Sequence, residues 1–167
     1  MLMTLLRAVA SLAAKLPNPL PSADIHASRA IPALPEQVFD ILGQTDRLQG
    51  LFPSDCARWN EKFDRSTVGG NAGVVYRAAG MRRRLEAIID RVDPPSKLDL
   101  KHAGSKGFIT RFDVALEAPG LTRVTLTTYL NPPPKPFQKY FFRRVKPAWE
   151  GCHERTLASL EAAVQGR

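Results

Sequence analysis

The sequence predicts an α+β domain in which a meander of antiparallel strands is covered by one long helix near the C-terminus. Three observations predict it. From Ile25 to Leu42 the chain reads as a strand stopped by Pro32, then a helix opening at Pro35. Between residues 72 and 130, runs of alternating polarity are separated by Gly and Pro bends. From residue 136 onward, apolar side chains recur every three or four positions to about 164.

Each element has its own local reason. Ile25, Ala27, Arg29 and Ile31 alternate with His26, Ser28 and Ala30, a period of two. Pro35 suits a first helical turn, where its missing N–H would be unpaired anyway, and Glu36 complements the positive end of the helix dipole. Val38, Phe39 and Leu42 form its apolar stripe. Gly43 ends that helix, and Thr45 with Asp46 opens a second one to Phe52. A short strand is expected over residues 59–63. Gly69-Gly70-Asn71 is turn chemistry leading into a strand over 72–79, and Gly80-Met81 leads into 82–92. Asp93-Pro94-Pro95-Ser96 turns the chain again. Strands over 97–102, 106–117 and 121–130 complete the meander, with Gly104 and Gly120 at bends. Asn131 to Pro136 is a rigid Pro-rich loop. The last helix is interrupted by Pro147, which should kink or split it.

The segment from Met1 to Leu16 precedes the domain and reads as an amphipathic helix. Leu2, Leu5, Leu6, Val9, Leu12 and Leu16 share one face, while Arg7, Ser11 and Lys15 step by four along the other. A secretory signal keeps its apolar core uncharged, and Arg7 and Lys15 interrupt this one; cleavage after Ala23, or a helix docked on the domain or on a partner, are the alternatives to membrane contact. Pro17, Pro19 and Pro21 make a stiff connector. The domain plan is therefore an add-on at residues 1–22 and a folded unit at 23–167.

The formal net charge is +8 and is unevenly spread. Residues 1–57 hold four Lys/Arg against five Asp/Glu, residues 58–111 twelve against six, and residues 112–167 eight against five. Arg82-Arg83-Arg84 and Arg143-Arg144-Val145-Lys146 are the densest runs. They suit an anionic membrane surface, toward which the Met1–Leu16 segment also points, or a plain solvated face. Aromatic residues do not alternate with them as in RNA-binding motifs, which argues against nucleic acid. Cys56 and Cys152 are two distant cysteines that set no disulfide framework, so a reducing, cytoplasmic compartment is expected, peripheral at the inner membrane surface if the basic runs bind lipid. No Cys-x-x-Cys or His-x-x-x-His spacing calls for a metal, and no cofactor is implied. Gly-x-Ser-x-Gly is absent, and no catalytic residue is assigned.

The opening strand–Pro–x–x–Pro–Glu–x–Val–Phe–x–Ile resembles that of the SRPBCC superfamily, which includes START-like lipid carriers, polyketide cyclases and birch-pollen-allergen relatives. The likeness continues through Val68-Gly69-Gly70, Val92-Asp93-Pro94-Pro95, Thr122-Arg123-Val124-Thr125 and the closing Leu157-Ala-Ser-Leu160, over roughly residues 23–165. It implies a helix-grip fold of bacterial type, with a curved antiparallel sheet wrapped around the C-terminal helix, two short helices after the first strand, and a cavity between sheet and helix.

Strand parity and helical spacing nominate residues facing such a space. From the sheet these are Tyr76, Leu100, His102, Phe108, Thr110 and Phe112, then Val124, Leu126 and Thr128. From the helix they are Val145, Trp149, Cys152 and Thr156. Leu116 shares the parity of Phe108 and is expected inside with it. His102, at a strand end, is expected to be exposed or simply hydrogen-bonded. Cys152 and His153 are neighbours about 100° apart on a helix, which excludes a Cys–His catalytic pair. The expected function is binding or carrying a lipid, quinone or polyketide-like molecule. An enzyme of the cyclase or dehydratase kind and a ligand-free interaction module remain the alternatives. An inward acid–base pair near His102 or Tyr76 would favour the enzyme.

Overall fold

A computed structural model of the chain describes residues 22–104 and 107–166. The expected helix from Met1 to Leu16 and most of its connector lie outside the described residues. Seven strands form one antiparallel sheet: β1 (Ile25–Ile31), β2 (Ala57–Trp59), β3 (Asn71–Ala78), β4 (Met81–Asp93), β5 (Lys97–Ala103), β6 (Ile109–Ala118) and β7 (Leu121–Tyr129). The spatial order is β1-β7-β6-β5-β4-β3-β2, so the first strand pairs with the last and the rest follow as a meander. Helices α1 (Pro35–Leu42) and α2 (Thr45–Leu51) follow β1. The C-terminal helix is composite: α3 (Lys135–Tyr140), a π-helical stretch (Phe141–Val145) and α4 (Lys146–Gln165). This is the helix-grip fold.

The helix ends follow from their residues. Pro35 occupies the first turn of α1, and the Gln37 side chain accepts the Leu34 N–H at 3.0 Å. Pro147 lacks the N–H that a continuous α-helix would need there, so the chain widens into the π-helical turn just before it and restarts with the proline in the first turn of α4. The expected interruption is thus a wide turn rather than a break. Gly70 is fixed by contact: a Cβ there would lie 2.1 Å from the Arg65 carbonyl oxygen.

The core lies between the concave face of the sheet and the helices. Val38, Phe39, Ile41 and Leu42 of α1 join Leu98, Leu100, Phe112, Val124 and Leu126 of the sheet and Leu157, Leu160 and Val164 of α4. The inner rows stack in register, with Thr110 opposite Thr128, Phe112 opposite Leu126 and Val114 opposite Val124. On the outer face Asp99 is still buried, because Arg111 covers it with two hydrogen bonds of 2.7 Å.

Four expectations need correcting. Strand β2 is Ala57–Trp59, not 59–63: Arg77 donates its N–H to the Cys56 carbonyl at 2.8 Å, which draws pairing upstream. Leu116 is 57% exposed, because α1 and α4 do not extend over the far end of β6. Of the two expectations for His102 the exposed one fails and the hydrogen-bonded one holds: the residue is 1% exposed, with its ring 4.4 Å from that of Phe108 and its Nε2 bonded to Tyr76. Cys56 and Cys152 form a disulfide joining β2's approach to α4 across 96 residues. Distance in sequence says nothing of distance in space, and here the two Cα atoms are 5.9 Å apart. The bridge removes the support that unpaired cysteines lent to a reducing compartment. Among the described residues no helix is long and apolar enough to cross a membrane.

Candidate ligand cavity

A cavity of about 430 Å³ lies at one end of the grip, between the composite helix and the β3–β4 turn. Tyr76 and Phe108 form its sheet wall, and Phe141, Val145 and Trp149 its helix wall. Leu130 with Pro132 to Pro134 closes one side, and Met81, Arg77 and Arg83 stand at the surface rim. The two walls meet through aromatic contacts. The Trp149 ring centre lies 5.8 Å from that of Tyr76 and 5.7 Å from that of Phe108. The Arg83 guanidinium sits 5.8 Å from the Phe108 ring centre, a cation–π distance.

Of the thirteen nominated residues, four line this space: Tyr76, Phe108, Val145 and Trp149. Leu100, Phe112, Val124 and Leu126 point inward but are packed in the core. Thr110, Thr128 and Thr156 are buried hydroxyls hydrogen-bonded inside the protein, and buried His102 bonds Tyr76 through one ring nitrogen. Parity gives the inward face correctly and does not say how much of that face α1 and α4 fill. Cys152 is spent in the disulfide and borders a separate shallow depression with Asp55 and Arg155. Sequence reasoning misses the rim residues Met81, Arg83 and Pro132 to Pro134. Their signal is position: Pro132 to Pro134 lie in the loop before the helix, where no periodicity operates, and Met81 and Arg83 stand at the start of β4 beside its turn.

Two polar chains run through the interior. Tyr76 Oη and His102 Nε2 are 2.7 Å apart, while His102 Nδ1 is buried without a hydrogen-bond partner among the described residues. Burial lowers the His102 pKa to about 4, the positive charge of Arg83 adding in the same direction and a bond to the Phe108 backbone opposing. Burial also pushes the Tyr76 phenol well above its usual range, so the pair is neutral imidazole with neutral phenol near pH 7. The second chain runs Thr110–Thr128–His153, at 3.0 and 2.8 Å. Burial holds His153 at about 3, with His26 adding a minor push. Sequence reasoning also misses His153, because it weighs only the pairing with Cys152. Its spacing with Leu157, Leu160 and Val164 marks the buried stripe.

Solved structures share this architecture. The protein TTHA0849 from Thermus thermophilus superposes with a TM-score of 0.66 at 20% identity, covering 86% of this chain and 97% of its own. The KanY protein (ms6282) gives a TM-score of 0.68 at 18% identity, covering 88% and 100%. The Aha1 dimer from Colwellia psychrerythraea gives 0.57 at 18%, covering 84% and 95%. At such identities the likeness is one of fold. No curated protein matches the chain. The family described as polyketide cyclase / dehydrase and lipid transport matches residues 22–165, nearly the whole folded unit and with it both walls of the cavity, and the chain belongs to that family.

Proposed function

We propose that this protein binds and carries a hydrophobic small molecule in the cavity between Tyr76, Phe108 and Trp149. The carrying observation is the cavity itself: about 430 Å³ walled chiefly by aromatic and aliphatic side chains, with few polar groups, as small-molecule sites generally are. Family membership supports a hydrophobic ligand. The size suits a ring system or a short polyketide or quinone-like head better than a whole diacyl lipid. Native mass spectrometry of the purified protein tests this: a co-purifying apolar compound, displaced by a competing probe, is expected. A protein that carries nothing and takes up no apolar probe would leave the interaction-module reading.

One observation favours a second reading, an enzyme of the cyclase or dehydratase type. Tyr76 both faces the cavity and touches His102, so that, with the imidazole Nε2–H donating to the phenol oxygen, the single phenol proton is left to donate to a carbonyl oxygen of a bound ligand. Tyr76→Phe separates the two readings. A carrier keeps its ligand with modestly altered affinity, whereas an enzyme loses turnover of a poly-β-keto substrate while still binding it.

A further inference from the structure

The cavity opens through a surface of unusual make-up. Six large hydrophobic side chains are exposed among the described residues, and three of them, Met81, Phe137 and Tyr140, stand together at this mouth. With Pro133, Pro134 and Phe141 they form an apolar hollow of about 630 Å³ that adjoins the cavity. Phe137 is the most exposed of the six at 63%. Packing inside the domain does not account for it.

The charge around this hollow is mostly positive, with Glu150 paired to Lys146 and Asp24 bonded to the Leu130 N–H as the acidic neighbours. Residues 77–84 contain Arg77, Arg82, Arg83 and Arg84 and no Asp or Glu. Residues 131–149 contain Lys135, Lys139, Arg143, Arg144 and Lys146 and again no Asp or Glu. Arg77 and Arg82 lie directly opposite each other across the β3–β4 pair, an arrangement that costs stability unless an anion screens it. The two basic segments are drawn together at the mouth, where Tyr140 donates its hydroxyl to the Ala79 carbonyl at 2.5 Å. The described chain also begins here. The Ser22 carbonyl accepts from Lys146 Nζ at 2.8 Å, and Ala23 and Ile25 pack on Phe141 and Val145.

We propose that this mouth docks on an anionic phospholipid surface, with Met81, Phe137 and Tyr140 entering the headgroup layer and the surrounding arginines and lysines facing lipid phosphates. Exposed apolar side chains ringed by cations match such a surface in both respects, since the bilayer interface offers apolar depth and negative charge together. An acidic protein or a nucleic acid would complement the charge but would leave Phe137 and Met81 without a partner. The proposal deepens the carrier reading: docking at the mouth would let an apolar ligand pass between cavity and bilayer without crossing water.

Co-sedimentation of the full chain with vesicles of phosphatidylcholine, with and without phosphatidylglycerol, tests it. Binding to the anionic vesicles is expected, weakened but not abolished by salt, because only the charged part is screened. Arg143→Glu with Arg144→Glu should weaken it at least tenfold, and Met81→Ser with Phe137→Ser likewise. Lys62→Glu with Arg65→Glu, the same charge change at the other end of β4, should change it little. All four substituted side chains in the charge variants are exposed, so these proteins should fold even if the apolar variant does not. Failure to bind anionic vesicles, equal losses in mouth and control variants, or mouth variants that bind like the wild type would each overturn the proposal. So would binding to acidic polypeptide or single-stranded DNA without binding to vesicles. Arg143 and Arg144 do not line the cavity, so their variant should still bind an apolar probe in vesicle-free solution. Loss of docking is thereby distinguished from loss of the ligand site.

Discussion

Tyr76 Oη and His102 Nε2 share a 2.7 Å hydrogen bond inside the sheet, and the imidazole's other nitrogen has no partner among the described residues. Burial and the positive charge of Arg83 both disfavour a protonated imidazole here, so the folded protein holds this histidine neutral.

Stability should therefore fall as the pH drops below about 6.5. His102 and His153 titrate near 6.5 when unfolded but near 4 and 3 in the fold, so between these values the unfolded chain binds more protons. Each histidine contributes a loss of about 1.4 kcal/mol per pH unit across its window. Above about pH 6.5 this contribution is complete and flat. Denaturant melts from pH 8 to 4 check it, with His102→Gln expected to show a shallower slope than the wild type; parallel slopes would refute the neutral buried imidazole.

The inward row of β7 is checked by a pair of neighbours. Val124 is fully buried, and Val124→Asp would leave an uncompensated charge there at a cost on the order of 3–5 kcal/mol. Arg123 is on the opposite face, in an exposed pair with Glu117 at 2.9 Å. Arg123→Asp should lower the melting temperature only slightly. Equal losses would place the strand in the wrong register.

Trp149 should report ligand binding. It stacks at the cavity wall, whereas Trp59 packs between Phe52 and Phe63. In a Trp59→Phe protein, titration with an apolar probe should shift or quench the remaining emission, and Trp149→Ala should weaken the probe roughly tenfold, about 1.4 kcal/mol. An unchanged spectrum at saturating probe would remove Trp149 from the site.

Reduction of the Cys56–Cys152 bridge should destabilise the fold by about 2–4 kcal/mol, because the bridge closes a loop of 96 residues in the unfolded chain. A melt with and without reductant measures this, and Cys56→Ser with Cys152→Ser should be insensitive to reductant. Identical melts for the oxidised and reduced wild type would show that the bridge does not form in solution.

The legibility of the chain divides along physical lines. Strand β1 and helix α1 are bounded correctly from sequence because Pro32 and Pro35 act through local backbone chemistry. The meander follows because turn residues and alternation are also local. Phe112 and Phe108 carry the same parity in sequence, yet one is enclosed by α1 and the other faces the cavity. That difference belongs to the tertiary arrangement, as does the meeting of Cys56 with Cys152. His153 is legible in its helical spacing and is lost when only its neighbour is considered.

The disulfide also limits how the domain can breathe. It pins α4 at Cys152 to the start of β2, so the helix cannot lift from the sheet at its midpoint while the bridge is intact. The upstream arm, from the Pro-rich loop through the π-helical turn to Trp149, is held across the mouth by the Tyr140–Ala79 hydrogen bond. A covalent pivot on one side and non-covalent contacts on the other, the Tyr140 and Lys146 hydrogen bonds and the packing of Phe141 and Val145 on Ala23 and Ile25, make that arm the yielding part. A ligand exchanging through this mouth would need only that arm to move, as a clasp opens at its unpinned end.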